Sequence, residues 1–236
     1  MKRSLFIPST ALRACFLLSS FIFSCTPASG QSTPQIVNVY ATASASPWLE
    51  ELFACAADLS AVLNVSAESP DILLRVGEPP GLVTPAFQVG TEDLVVITNN
   101  ARPPILSADQ IRRIFTGQIT NFNQIVAEWE EVHPTQTDGI HVWVYSGGED
   151  IQTIFEQVFL DGRSVTSYAR VAVHPSDMLK RIAEDENAIG FLSRRWLGKD
   201  AFEQMNAASV PVLALTPSEP TGIVRDLVAC LQKKGD

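Results

Sequence analysis

LSADQIRRIFTGQITNFN, residues 106–123, is the part of this sequence that says most about its architecture. Ser107 suits the N-cap of a helix, and Asp109 lies in the first turn that would follow it. Apolar residues then recur at the spacing of one helix face: Ile111, Ile114 and Phe115. Gly117 tolerates the left-handed conformation that commonly ends a helix. The stretch therefore predicts a short, capped amphipathic helix that is closed by a glycine turn.

Strands and helices alternate along the chain on both sides of this segment. Ser46 and Pro47 predict the start of one helix, as its N-cap and first helical residue. Apolar patterns predict strands at residues 35–40, 71–76, 92–98, 140–145, 170–173, 188–193 and 210–215. Further helices are predicted at residues 48–63, 150–159, 175–184 and 222–232. This alternation indicates an α/β protein with largely parallel sheets.

Two segments carry a resemblance to a known family. IFTGQITNF, residues 114–122, and AIGFLS, residues 188–193, resemble the substrate-binding proteins of phosphate ABC transporters, in which a similar glycine turn and a similar strand recur. The resemblance implies a bilobal type II periplasmic-binding-protein fold, with two α/β lobes and a ligand cleft between them. It places residues 35–98 plus 194–236 in lobe I and residues 99–193 in lobe II. It also implies a ligand-binding protein and not an enzyme.

The N-terminus predicts export from the cytoplasm. Residues 1–24 begin with basic residues and continue with an apolar run, which is typical of a secretory signal peptide. IFSC, residues 22–25, resembles the lipobox at which a cysteine, here Cys25, becomes lipidated in bacterial lipoproteins; plain cleavage is the alternative. Polar residues 25–34 form a tether. We therefore expect an extracytoplasmic protein that is anchored to the bacterial cell membrane by a lipidated N-terminus.

The chain beyond the signal peptide is acidic. Three of the 17 basic residues lie in that peptide, so 14 oppose the 26 acidic residues and the net charge becomes −12. Such a charge argues against nucleic acid as a partner. The histidines are scattered and lack a nearby set of zinc ligands: His133, His141 and His174. No recognisable motif joins a nucleophile to a base. We therefore expect no metal, no cofactor and no catalysis.

Two cysteines remain outside the signal peptide and the expected lipid site. Cys55 lies in the first predicted helix and Cys230 in the last. In the fold that the resemblance implies, both ends of the chain belong to the same lobe, so a disulfide between these residues is one reading in an oxidising compartment. The other reading is two buried free thiols that pack as small apolar side chains.

The resemblance assigns the first two ligand-binding segments. The loop after the first strand matches the family's first ligand loop and supplies three hydroxyls: Thr42, Ser44 and Ser46. The alternative is that Ser46 only caps the helix and the other two are turn residues. The family's second segment, a strand that ends in Ala-Ser-Asp, falls on residues 74–77. Arg75 takes that place, either to bind an oxyanion or to pair with Glu78 at the surface.

The third segment departs most from the family pattern. The family has an arginine and then a Ser-Gly-Thr-Arg turn that opens a helix, and residues 149–152 of this chain match that turn. Four candidate ligand residues come just before it: Tyr145, Ser146, Gly147 and Gly148. Neither arginine is present, and Glu149 and Asp150 occupy the start of the helix, where their charges compete with a bound anion. The glycines form either a backbone anion cradle or a plain strand-to-helix turn. Otherwise Tyr145 and the two carboxylates hold a neutral or cationic ligand, or the transport site has been lost.

These features predict an extracytoplasmic solute-binding lipoprotein of an ABC importer. We expect it to bind phosphate or another small oxyanion, and to close its lobes near residues 99–102 and 193–194. A separate membrane permease would receive the ligand, and the protein itself would be a monomer. The alternative is an envelope sensory or interaction protein on the same fold that has lost or changed the anion site. Arg194 and Arg195 are expected to form a solvated pair, and the alternative is that they face the cleft.

Overall fold

An eight-stranded mixed sheet organises the computed structural model, which describes residues 35–99, 105–125 and 139–235. The strands are β1 Ile36–Ala41, β2 Val62–Val65, β3 Ile72–Val76, β4 Ala86–Asn99, β5 His141–Val144, β6 Arg170–Val171, β7 Ala188–Ser193 and β8 Ala201–Leu215. Their order across the sheet is β2-β1-β3-β8-β4-β7-β5-β6. The predicted signal peptide, Cys25 and the tether lie outside the described residues, as do residues 100–102 of the predicted first crossing.

Helices alternate with these strands along the chain. Those of the described residues are α1 Leu49–Asp58, α2 Ala108–Phe115, α3 Asp150–Ile154, α4 Pro175–Glu184 and α5 Gly222–Gly235. A π-helical turn, Phe155–Phe159, continues α3. In the part of the chain that the structure describes, no helix is long and apolar enough to cross a membrane. The predicted α/β alternation is confirmed, and α4 and β7 have the predicted bounds.

The strand directions correct the prediction of largely parallel sheets. β1 pairs in parallel with β2 and β3, and β5 pairs in parallel with β6 and β7. Between these two groups, β3 with β8, β8 with β4, and β4 with β7 are antiparallel pairs. The order of motifs does not reveal this arrangement, because β4 and β8 pair with each other across several intervening elements. Three register shifts bend the pair as it passes from one group to the other.

The first helix differs from its prediction at both ends. It was expected to continue to residue 63, but it ends at Asp58, because Ser60 adopts a positive φ of 55° and the following residues extend into β2. Ser46 is not its N-cap. It begins a separate 3₁₀ turn, Ser46–Trp48, and its Oγ donates to the carbonyl of Ala43 at 3.0 Å.

The predicted cap of α2 is confirmed. Ser107 Oγ accepts a hydrogen bond from the backbone N–H of Gln110 (3.3 Å), and Gln110 Oε1 accepts one from the N–H of Ser107 (2.8 Å). This reciprocal pair satisfies two backbone donors that the helix itself cannot pair. Gly117 follows the helix with a φ of 78°, in the left-handed region that favours glycine.

Ser107→Ala is expected to lower the free energy of unfolding by about 1 kcal/mol, because the N–H of Gln110 loses its acceptor. Urea unfolding measures this change. The matched variant Ser107→Thr keeps a hydroxyl, so its stability should stay within about 0.5 kcal/mol of the native chain. An alanine variant as stable as the threonine variant would show that the cap contributes nothing.

Aromatic rings fill the core around β7. The Phe155 ring stacks on Phe191 with 3.9 Å between centroids, and it meets Phe115 of α2 edge-on at 4.7 Å. Just before Phe155, Ile154 packs onto Gly77 at the end of β3, so closely that a Cβ on Gly77 would lie 2.5 Å from its Cδ1. This packing holds α3 against the end of β3.

A disulfide joins Cys55 of α1 to Cys230 of α5. The two residues are 175 positions apart in the sequence, and their Cα atoms are 5.9 Å apart. Of the two readings that the sequence allowed, the structure has the bonded pair. The first and last helices of the described chain are therefore covalently linked.

Candidate functional site

The carboxylate of Asp150 is the point at which three segments of the chain meet. Its Oδ2 accepts hydrogen bonds from the hydroxyl of Thr42 (2.6 Å) and the backbone N–H of Val76 (3.0 Å). Its Oδ1 accepts one from the N–H of Ile151 (2.7 Å). Asp150 is only 5% exposed, and a carboxylate removed from water is stable only when it is well hydrogen-bonded. These three donors therefore form an anion position, which the Asp150 side chain fills.

Backbone hydrogen bonds at the end of β1 position Thr42. Its N–H donates to the carbonyl of Leu74 in β3 (3.0 Å), and its carbonyl accepts from the N–H of Ala45 (3.1 Å). The indole Nε1 of Trp196 donates to the carbonyl of Ala43 from the other side of the loop (3.3 Å). The loop is thus fixed through its main chain, which leaves the hydroxyl of Thr42 to donate to the carboxylate.

The two serines of the same loop differ from Thr42. Ser44 is 1% exposed, and its hydroxyl finds no hydrogen-bond partner among the described residues. The hydroxyl of Ser46 is used within the loop, on the carbonyl of Ala43. The structure therefore brings Thr42 to the anion position, buries Ser44 with an unused hydroxyl, and gives Ser46 a role in the turn.

Arg75 bonds to its own strand end. Its Nε donates to the carbonyl of Gly77 (3.0 Å), and the ion pairs of the described residues join it to neither Asp150 nor Glu78. Burial lowers the pKa of the Arg75 guanidinium, and the charge of Asp150 raises it in opposition. Arg75 therefore lies within the electrostatic reach of the anion position without contacting its carboxylate.

The turn before α3 is open to solvent. Ser146, Gly147 and Gly148 are exposed, and no atom would lie within 4 Å of a Cβ built on either glycine. The N–H of Glu149 donates back to the carbonyl of Ser146 (3.0 Å), as in an ordinary turn. The structure thus shows a strand-to-helix connection whose glycines do not enclose a ligand position.

Tyr145 precedes this turn but belongs to the core. Its backbone N–H donates to Oε1 of Gln152 (2.9 Å), which ties the end of β5 to α3. Its buried hydroxyl has no hydrogen-bond partner among the described residues. Burial raises the pKa of Tyr145, and the carboxylates of Glu149 and Asp177 raise it further. The phenol is therefore neutral at physiological pH.

The space beside the anion position is closed in this conformation. The gap between β3 and α3 is too small to admit a water molecule, and it is lined by Val76, Glu92, Leu94, Ile151, Ile154, Ser193 and Val210. The described residues contain no group of three or more His, Cys, Asp or Glu side chains that could hold a metal ion. This gap is closed on the side of Val76, whereas Thr42 does not line it and is only partly buried.

Arg194 and Arg195 are both accessible to solvent, as expected, and each also contacts other elements of the fold. Arg194 bonds to the carboxylates of Asp93 and Glu203, which come from β4 and β8. The Arg195 guanidinium lies 4.0 Å above the ring of Trp48. Both side chains stay in contact with solvent, with 41% of the Arg194 side chain and 39% of the Arg195 side chain exposed. Their partners come from other elements, which adjacent residues in the sequence do not reveal. The two arginines line an open cavity of about 320 Å³ together with Thr91, Glu92 and Asp93.

The sequence predicted Thr42 as a ligand residue, and the structure places its hydroxyl on Asp150, but the sequence did not indicate Val76 or the hydrogen bonds that Asp150 accepts. The available signal was the acidic pair at the helix start, where the resembling family has a Ser-Gly-Thr-Arg turn. An acid in the place of an anion-binding turn can repel the anion or replace it. In the structure the Asp150 carboxylate itself accepts hydrogen bonds from Thr42 and Val76.

Comparison with solved structures gives the same fold. A phosphate ABC transporter substrate-binding protein with bound phosphate from Clostridium perfringens is 17% identical, with a TM-score of 0.71 over 85% of this chain and 95% of that one. An ABC-type phosphate transport receptor from Vibrio cholerae is 19% identical, with a TM-score of 0.59 over 83% and 93%. The reduced regulatory domain of OxyR2 from Vibrio vulnificus is 8% identical, with a TM-score of 0.59 over 86% and 96%.

Such low identities show the fold, and the predicted type II periplasmic-binding-protein fold is confirmed. No curated protein matches the sequence. A family model described as a PBP superfamily domain matches residues 84–219, which is more than half of the 236 residues. The chain therefore belongs to the PBP superfamily.

Proposed function

We propose that this protein is an extracytoplasmic solute-binding protein of an ABC importer, with its ligand position between two lobes. Its family and its fold likeness to two phosphate-transport proteins support this role. Residues 35–98 plus 194–236 form lobe I in this proposal, and residues 99–193 form lobe II. Thr42 and Val76 then belong to lobe I and Asp150 to lobe II, so the hydrogen bonds between them cross the cleft.

The observation that carries the proposal is the meeting of three donors on one buried carboxylate. A hydroxyl and backbone N–H groups bind oxyanions without a cationic side chain, and they do so more strongly in a dry site. The donors of Thr42 and Val76 therefore suit phosphate or another small oxyanion. Ser44 supplies an unused hydroxyl in the same loop, and Arg75 supplies a positive charge within electrostatic reach.

Lobe opening is part of the proposal, because Asp150 must leave before a solute can bind. A movement of α3 away from β3 would free the hydroxyl of Thr42 and the N–H of Val76 together. The solute would then bind to these donors, and the lobes would close around it. In this scheme the two lobes have an open and a closed arrangement, and the bound solute stabilises the closed one.

The cellular setting of the protein is proposed from the N-terminus and the family. A signal peptide, residues 1–24, would direct export, and lipid on Cys25 would hold the domain at the membrane through the tether of residues 25–34. The protein would work as a monomer with a separate permease chain. The proposal assigns the protein a binding role and no reaction.

Thermal unfolding against a panel of solutes tests the proposed function. Suitable material is the chain from Cys25 to Asp236 with Cys25→Ser, which prevents lipid attachment. A solute at about 100 times its dissociation constant should add about 2.7 kcal/mol to the free energy of unfolding and raise the midpoint by several degrees. We expect that rise with phosphate or a related oxyanion, and we expect Thr42→Val to weaken it. Sodium chloride at equal ionic strength is the control, and equal midpoints in chloride and in every oxyanion would refute the proposal.

A second function is favoured by one observation, which is that the Asp150 side chain itself accepts the hydrogen bonds of Thr42 and Val76. A protein locked in this way suits an envelope sensory or interaction role on the same fold. In that case the panel would give no response to oxyanions, or a response only to cationic or organic solutes. The same experiment therefore separates the two functions.

A further inference from the structure

We infer that Asp150 is a tethered internal ligand of the proposed anion site, and that it sets the affinity of this site for free oxyanions. The inference rests on the proposed function, because it requires a solute oxyanion to use the same donors. It goes further than the proposed function because it assigns Asp150 as the residue that competes with the solute for the same hydrogen-bond donors. The probe class is small oxyanions, with inorganic phosphate and formate as its two test members.

The hydrogen bonds to Asp150 connect parts of the chain that are far apart in sequence. The bond to the hydroxyl of Thr42 spans 108 residues, and the bond to the N–H of Val76 spans 74. Both donors converge on the same oxygen, Oδ2, as they would on one oxygen of a bound anion. A carboxylate whose only role was to cap α3 would need neither of them.

The neighbouring carboxylate provides an internal comparison. Glu149 is the N-cap residue of α3, yet its side chain makes no capping hydrogen bond and is only half-buried. The two acids differ because Asp150 alone is turned towards β1 and β3. A negative charge at the helix start is therefore insufficient to explain the contact with Thr42. Asp150 makes this contact because its side chain, unlike that of Glu149, lies next to β1 and β3.

A tethered carboxylate competes with free anions through its high local concentration. Short tethers give effective concentrations in about the millimolar range or above, so a free anion at a lower concentration rarely finds the donors vacant. The apparent dissociation constant rises by the inverse of the vacant fraction. If the site is vacant for about a tenth of the time or less, removal of the Asp150 carboxylate will strengthen oxyanion binding at least about tenfold.

The same contacts hold α3 against β1 and β3. Thr42 and Val76 bond to the first residue of α3, and Ile154 of the same helix packs on Gly77. A solute oxyanion must therefore displace a carboxylate that already bridges β1 and β3 to α3. This displacement makes Asp150 a determinant of both affinity and closure.

Calorimetric titration of Asp150→Ala with phosphate and with formate tests the inference. The variant loses a carboxylate of the size of formate, so we expect either probe to bind it at least tenfold more tightly than it binds the native chain. Adding Thr42→Val to the variant should abolish the gain. Asp109→Ala is the matched control, because Asp109 is an exposed acid in the first turn of α2 and its removal should leave the affinity unchanged.

The outcomes separate this inference from the proposed function. Equal phosphate affinity in the native chain and in Asp150→Ala would overturn the inference and leave the binding function standing. Absence of binding to both folded proteins would overturn the inference and the oxyanion function together. Tight binding to the variant alone would support the inference and favour the sensory function. If Asp150→Ala does not fold, Asp150→Ser supplies a polar but shorter side chain without the carboxylate, and phosphate binding no tighter than in the native chain would overturn the inference.

Discussion

Phe155→Ala will lower the free energy of unfolding by about 4 kcal/mol, because it deletes a fully buried aromatic ring. The ring stacks on Phe191 of β7 and meets Phe115 of α2 edge-on, so its loss removes contacts with two elements at once. A sheet strand and a packed helix cannot readily collapse into the cavity, which keeps the cost high. Phe155 also begins the π-helical turn that continues α3. The variant will therefore loosen the helix that carries Asp150.

Urea unfolding measures the loss of stability, and the midpoint of thermal unfolding should fall by about 10 °C. Phe53→Ala is the control, since Phe53 lies on α1 with 47% of its surface exposed and its removal should cost less than about 1 kcal/mol. Phe155→Leu refills most of the volume and should recover a large part of the loss. Similar stabilities for the Phe155 and Phe53 alanine variants would contradict a core centred on these rings.

Elements with one clear periodicity could be predicted from the sequence. α4 and β7 have the predicted bounds, and the cap of α2 uses the residues that its pattern indicated. The pairing of β4 with β8 could not be predicted in this way, because it joins strands with several elements between them. Both strands also begin before their predicted starts, since partly exposed positions interrupt the apolar pattern in their first halves. The local pattern of apolar residues indicates which positions are buried, but it does not indicate which strand pairs with which.

In the candidate site, too, the sequence predicted local features better than contacts between residues that are far apart in the chain. Thr42 could be proposed as a ligand residue because its loop resembles the first ligand loop of the phosphate-binding family. The charge of Asp150 was read as a repulsion, whereas the structure satisfies it with donors 108 and 74 residues away. Val76 contributes only its backbone N–H, a group that every residue except proline carries, so no side-chain pattern marks it. The sequence therefore indicated the loop that carries Thr42, but it did not indicate the contribution of Val76.

Removal of the disulfide between Cys55 and Cys230 is expected to lower the free energy of unfolding by about 3–5 kcal/mol. The bond joins residues 175 positions apart, and the entropy that a cross-link removes from the unfolded chain increases with the length of the loop it closes. It also connects α1 to α5, and α5 packs on β4 in the middle of the sheet. Without the bond, the two segments that form α1 and α5 would move independently of each other in the unfolded chain.

The matched variant carries Cys55→Ala and Cys230→Ala together, because a single substitution would leave a reactive thiol. In urea unfolding, a reductant should lower the stability of the native chain towards that of the double variant and should leave the double variant unchanged. Alkylation in denaturing urea without reductant, followed by mass analysis, should find neither thiol free in the native chain, whereas buried free thiols would react once the chain is unfolded. Native stability in the double variant, or alkylation of both cysteines, would instead establish two free thiols. Packing alone would then hold α1 to α5.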